Sequence, residues 1–177
     1  SSFNSVATSP QSLEDHHLGY GDGTKTVSVC YVDAAGNVAG ASDNIILDTQ
    51  GPTVSMVIEN DAAYTQTRTV NLNLTKDEEI DKIVILNEGP GCDSLDFDND
   101  GVGYEDTKGH TLSEGDGTKE VLVCFRDLSG QVTGATDTIE LDSLDPNSTL
   151  TINDDVPYTN QRSVALTMGP NTPGAAD

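Results

Sequence analysis

Residues 115–142 read GDGTKEVLVCFRDLSGQVTGATDTIELD, and residues 21–48 read GDGTKTVSVCYVDAAGNVAGASDNIILD. The two stretches align without a gap at an offset of 94 positions (115 against 21). Gly21 and Gly115, Cys30 and Cys124, Asp33 and Asp127, Gly36 and Gly130, Gly40 and Gly134, and Asp48 and Asp142 fall in step. The likeness continues beyond the stretch: AYTQTRTVNLNL (63–74) answers PYTNQRSVALTM (157–168) at the same offset. Self-similarity at a fixed period marks a repeated unit of structure. It predicts one complete repeat at 49–142, the C-terminal part of another at 1–48, and the opening strands of a third at 143–177.

Inside the repeated stretch the side chains alternate. Val27, Val29 and Tyr31 share one face of an extended segment, with Ser28, Cys30 and Val32 on the other. Ala34-Ala35-Gly36-Asn37 is turn chemistry, and Val38–Leu47 returns as the hairpin partner. Further strands are expected at His17–Gly19, Val54–Ile58, Thr69–Thr75, Lys82–Asn87, Thr111–Ser113, Thr149–Asn153 and Ser163–Met168. Pro52 and Pro146 mark short linkers, because proline cannot donate to a ladder. Residues 88–109 are expected to form a long loop. No helical period is sustained anywhere. About seven short strands in 90–100 residues, punctuated by turns, is the pattern of an all-β sandwich.

The charge balance narrows the partners. Of 177 residues, 30 are Asp or Glu and 8 are Lys or Arg, for a formal charge of −22. Such a polyanion repels phosphate backbones and anionic lipid surfaces, so neither nucleic acid nor membrane is an expected partner. No apolar run is long enough for membrane insertion as a spanning helix. Disorder is the plain alternative for an acidic chain, but these acids alternate with β-branched residues instead of standing in blocks. Bound divalent cations would relieve the self-repulsion. With three Phe, five Tyr and no Trp, the core is expected to be thin.

The residues also carry a family resemblance. Gly-Asp-Gly-Thr-Lys, alternating valines, Asp-Ala-Ala-Gly-Asn-Val, then Ser-Asp-Asn-Ile-Ile-Leu-Asp before Gly-Pro-Thr resembles the bacterial Ig-like repeats of large extracellular, adhesin-type surface proteins. The Ala63-Tyr64-Thr65 segment with Arg68 and Val70 is similar to the second-strand region of the same family. The resemblance implies tandem immunoglobulin-like β-sandwiches that serve as spacers or adhesive modules. One departure stands out: an acidic loop replaces the aromatic-rich one that is frequent in that family.

That loop, DFDNDGVGYED at 96–106, is the leading site candidate. Asp96, Asp98 and Asp100 stand at alternate positions, Gly101 permits a sharp bend, and the Val102 carbonyl falls where a calcium loop uses main-chain oxygen. Thr107 stands where a closing bidentate glutamate would be, so Glu105 or Asp106 would have to complete the shell of a Ca²⁺ ion. The plain alternative is a solvated acidic turn.

Three cysteines leave one over. The period pairs Cys92 with Cys124 inside the complete repeat and leaves Cys30 unpaired, because the counterpart of Cys92 would fall before Ser1. A disulfide implies an oxidising setting, hence an exported, extracellular or cell-surface protein. Glu14-Asp15-His16-His17 offers a weak metal pattern, since adjacent histidines on a strand point to opposite sides. An exposed loop is the simpler reading, and the same holds for His110.

No nucleophile, phosphate-cradling or metalloprotease motif occurs, so a non-catalytic role is expected. The leading expectation is a structural or adhesive module, a calcium-stiffened stalk. Its incomplete terminal repeats would be completed by strand addition from neighbouring copies, head to tail into a filament, or by covalently continuous repeats. The alternative is a glycan- or protein-binding accessory module of a secreted enzyme, for which Phe97 and Tyr104 are the candidate contact aromatics.

Overall fold

The computed structural model describes residues 15–89, 91–146 and 148–169. The chain divides at Gln50/Gly51 into two compact units.

The first unit is built on one hairpin. β1 (Gly23–Val32) and β2 (Val38–Leu47) pair antiparallel through ten residues each, with Cys30 opposite Gly40. The connecting turn closes by Asp33 N–H to the Asn37 carbonyl (3.0 Å) and Gly36 N–H to the Asp33 carbonyl (3.1 Å). Gly36 takes φ +85°, a conformation that glycine adopts without steric cost. Residues 17–19, expected as a strand, are not one.

The second unit holds β3 (Val54–Ile58), β4 (Tyr64–Thr65), β5 (Thr69–Lys76), β6 (Ile80–Asn87), a single helical turn α1 (Phe97–Asp100), β7 (Thr107–Thr111), β8 (Gly117–Asp127) and β9 (Val132–Leu141). These form two sheets, β3-β5-β7 and β4-β9-β8-β6. Their facing sides supply one core: Met56, Ile58, Leu72 and Leu74 from the first sheet meet Ile83, Val121, Val123, Phe125 and Ile139 from the second. The alternation in β8 is what puts Val121, Val123 and Phe125 on one face. β4 is the exception to antiparallel pairing. It runs parallel to the end of β9, with Tyr64 opposite Glu140 and Thr65 opposite Leu141. Beyond the sandwich, β10 (Leu150–Ile152) pairs antiparallel with β11 (Leu166–Met168), and a 3₁₀ turn at Asn153–Asp155 follows β10.

Three expectations need correction. The strand placed at 111–113 lies at 107–111, where it pairs with β5 from Thr69 to Asn73. Lys108 and His110 occupy its half-buried positions, so no apolar period announced it. The long loop contains the α1 turn and a bridge between Ile83 and Val102. Finally, β10 and β11 are shorter than the stretches expected for them.

The two hairpins of like sequence differ in what covers them. Val123, Phe125 and Ile139 are 0%, 0% and 1% exposed, whereas Val29, Tyr31 and Ile45, 94 positions earlier, are 45%, 54% and 56% exposed. Leu72 is buried and its counterpart Leu166 is exposed.

Candidate functional site

The acidic loop folds back along the outer side of β6 and β8. Phe97 is buried there with Val84, Leu122 and Cys124 in a second, smaller apolar cluster, and Cys92, Leu95 and Leu86 border it. The loop is held at one end by the Cys92–Cys124 disulfide (Cα–Cα 5.7 Å) and at the other by the reciprocal Ile83–Val102 hydrogen bonds of 2.9 and 2.8 Å. Cys30 is free and exposed. The disulfide has the expected partners.

The carboxylates have structural partners. Asp96 is the N-cap of α1: one oxygen accepts the Asp98 and Asn99 N–H groups, both at 3.1 Å, and the other accepts the Asn99 amide at 2.6 Å. These bonds, the Asn99 side chain first, hold the Asp96 carboxyl below the usual carboxylate range. Asp98 Oδ1 lies 2.8 Å from Arg126 Nη2, which also reaches Asp81 at 2.6 Å. The same guanidinium stands 5.3 Å from the Phe97 ring centroid. Glu105 pairs with Lys108 at 3.0 Å. The Asp106 carbonyl accepts Leu74 N–H at 2.8 Å. Asp100 is exposed on the rim.

Gly101 is there for space. A Cβ would run into the Phe97 carbonyl and the Lys82 side chain. So the six sequence-predicted residues lie along one loop, yet Asp96, Asp98, Glu105 and the Val102 carbonyl already meet protein donors. The spacing read as a cation loop also encodes a capped helical turn, since aspartate is a favoured N-cap.

The two aromatics of the loop face inward. Phe97 is buried, and Tyr104 packs beside Phe125 (6.4 Å between centroids) with its hydroxyl donating to the Leu74 carbonyl at 3.1 Å. Burial first, and Asp106 second, push the Tyr104 phenol up to about 12. The buried Phe97 ring is not presented for stacking on a sugar. Asp15, His16 and His17 are exposed, and Glu14 lies outside the described residues. His110 bonds to Asn87 Oδ1 at 2.8 Å, and burial lowers its pKa.

A second polar group lies at the turn between β8 and β9, and the sequence reading passed over it. Asp127 is 2% exposed. Its Oδ1 accepts from Ser129 N–H (2.7 Å), Ser129 Oγ (2.8 Å) and Gln131 N–H (2.9 Å). Its Oδ2 is buried with no hydrogen-bond partner, alone in that among the side-chain atoms of the described residues. The signal was present: Asp127 opens the repeated turn motif, and position 131 differs between repeats.

No family model matches the chain, and no curated protein matches it. Among solved structures it is similar to the "tetra-tandem repeat in extending region of large adhesion protein", at 17% identity with a TM-score of 0.38. The match covers 75% of this chain, which spans about a third (35%) of that structure's length.

Proposed function

We propose that the chain is a non-catalytic structural or adhesive module of a large exported protein, built from tandem immunoglobulin-like repeats that extend or space what they carry. The observation that carries this reading is the 94-residue recurrence. A whole two-sheet sandwich and a second copy of its last hairpin occur in one chain, at one offset. A sheet order of β3-β5-β7 facing β4-β9-β8-β6 supports the immunoglobulin-like assignment. The Cys92–Cys124 disulfide supports an extracellular setting. Small-angle scattering tests the spacer role: adding one further 94-residue period should lengthen the particle by a fixed increment at constant width. A compact particle of unchanged length would sink it.

Assembly is part of the proposal. The apolar positions left open on β1–β2 and on β10–β11 are those that face each other when the complete repeat folds, Val123 and Phe125 across from Ile58 and Leu72. The β10–β11 face of one copy would therefore cover the β1–β2 face of another, head to tail. Sedimentation at rising concentration should show oligomers that Ile45→Asp removes. A monomer at all concentrations would end this part of the proposal.

Calcium at 96–106 belongs to the proposal in a weak form. The ion would have to displace Arg126 from Asp98 and the Asn99 amide from Asp96, which places affinity at about 10⁻⁴–10⁻³ M or weaker. Asp98→Ala should remove the calcium response of this loop; an unaltered response would exclude Asp98 as a ligand. Of the two aromatics the accessory-module alternative relied on, Phe97 is buried and Tyr104 is half-buried against Phe125.

A further inference from the structure

The complete repeat ties its two sheets together through one carboxylate. β3 lies at the edge of its sheet, and Glu59 N–H donates to the Asn71 carbonyl at 2.9 Å. By antiparallel alternation the Ile58 N–H therefore points away from β5, and an edge donor of this kind is open to another chain. Here Asp137, on β9 of the facing sheet, takes it: Ile58 N–H donates to Asp137 Oδ2 at 2.8 Å. The other oxygen, Asp137 Oδ1, accepts Thr138 N–H at 2.8 Å, which holds the carboxylate in place. A second seam runs beside it. The N–H groups of Glu140 and Asp142, along the outer edge of β9, donate to the Ala63 and Thr65 carbonyls at 3.2 and 3.0 Å.

Each of these groups recurs 94 positions away, where it lacks its partner among the described residues. Ile58 corresponds to Ile152, and Asp137 to Asp43. Asn153 N–H donates to the Ala165 carbonyl at 2.8 Å, as Glu59 does to Asn71, so the Ile152 N–H points away from β11. Asp43 Oδ1 accepts Asn44 N–H at 2.8 Å, as Asp137 Oδ1 accepts Thr138 N–H. Asp43 is exposed, and no donor of the described residues meets its Oδ2. The N–H groups of Ile46 and Asp48 stand where those of Glu140 and Asp142 do, and the carbonyls that answer Ala63 and Thr65 belong to Pro157 and Thr159. Proline lacks only the N–H, which this seam does not use, and keeps the carbonyl that it does.

We propose that Asp43 is the residue that fixes the register when the β10–β11 strands of one copy settle on the β1–β2 hairpin of another. Its Oδ2 takes the Ile152 N–H of the incoming copy, and residues 157–159 of that copy run parallel along the outer edge of β2. The inference rests on the head-to-tail reading above and adds what apolar contact alone does not supply. Apolar faces tolerate sliding, whereas a slip of one residue would bring to Asp43 an N–H already turned toward β11. The carboxylate also covers the open donor of an edge strand, so a docked tail no longer offers it to a third chain.

The test is sedimentation velocity of the full 177-residue chain over a concentration series, with hydrogen exchange of the Ile152 amide followed on the same samples. Salt is held at about 0.15 M, where repulsion between two copies of charge −22 is screened. Asp43→Ala should weaken association about tenfold or more, the effect of losing a hydrogen bond to a charged acceptor. Asp43→Asn keeps an acceptor oxygen at the same place and should restore most of it. Both variants remove one negative charge, so a general electrostatic effect would move them together. Exchange at Ile152 should slow as the parent chain is concentrated, and should not slow in Asp43→Ala. A parent chain that stays monomeric would end the head-to-tail reading and this inference with it. Association that Ile45→Asp removes and Asp43→Ala leaves intact would overturn the role of Asp43 alone. So would equal weakening by Asp43→Ala and Asp43→Asn, or an Ile152 amide whose exchange ignores concentration while the parent associates.

Discussion

The sulfur of Cys92 lies 2.9 Å from where a Cβ on Gly134 would stand. Gly134 is the cross-strand partner of Cys124, so the disulfide rests over a residue with no side chain. The hairpin at 23–47 keeps the same pair, Cys30 opposite Gly40, without the bridge. There a Cβ would meet only ordinary contacts, Val29 O at 3.4 Å and Cys30 Sγ at 3.8 Å. Gly134→Ala should therefore cost about 1–3 kcal/mol as overpacking, and Gly40→Ala less than about 0.5 kcal/mol. Paired urea melts of the two variants check the contrast.

The disulfide itself joins residues 32 apart in sequence. The chain-entropy estimate for such a loop is about 3–4 kcal/mol. Replacing Cys92 and Cys124 together by serine should lower the stability of the sandwich by that order. Alkylation without reductant, read by mass spectrometry, should label Cys30 alone. A label on Cys92 or Cys124 would contradict the pairing.

Arg126 holds the α1 turn to β6 and β8 through Asp98 and Asp81. Arg126→Met should lower stability more than Asp98→Ala does, because the half-buried Asp81 loses a charged donor. Asp98→Ala should cost about 0.5 kcal/mol or less, since its side chain is 78% exposed. A double-mutant cycle separates the two contacts; equal losses for both variants would argue against this division.

Two groups contribute to the pH dependence at opposite ends. Tyr104 titrates at about 12 in the folded protein, against 10.0 for the free side chain. Its contribution is complete below pH 10 and declines as the pH rises toward 12, because the unfolded chain loses the proton first. Tyr104→Phe should flatten that alkaline limb in a pH series of urea midpoints. Asp96 works at the acid end: its lowered folded pKa gives stability present above about pH 4 and lost as the pH falls through the folded value. Asn99→Ala removes the largest cause, so the acid transition should move to higher pH. An unmoved transition would show that the cap does not govern it.

Legibility in the sequence followed from what each residue does physically. The hairpins at 23–47 and 117–141 were readable because β-branched residues alternate and both turns carry Asp and Gly at fixed places. β7 was misplaced because its inward positions are Lys108 and His110, whose half-buried stems do not register as apolar. β4 is two residues long and leaves no period to find. Asp96, Asp98 and Asp100 were legible as a cluster. That Arg126, 28 residues from Asp98, would occupy part of it was not, because ion pairing across strands leaves no mark in local spacing. The orphaned oxygen of Asp127 could have been suspected from a single letter, the change from Asn37 to Gln131.

The parallel pairing of β4 with β9 has a mechanical consequence. Ala63 and Thr65 accept hydrogen bonds from the N–H groups of Glu140 and Asp142, at 3.2 and 3.0 Å. Suppose tension enters this repeat on the N-terminal side of β4 and leaves on the C-terminal side of β9, as in a loaded array. Parallel strands pulled from those ends slide lengthwise against each other, so the bonds are loaded together in shear and do not peel one at a time. Rupture of this pair then requires its bonds to fail at once, so β4 resists force along the chain more than its two residues suggest.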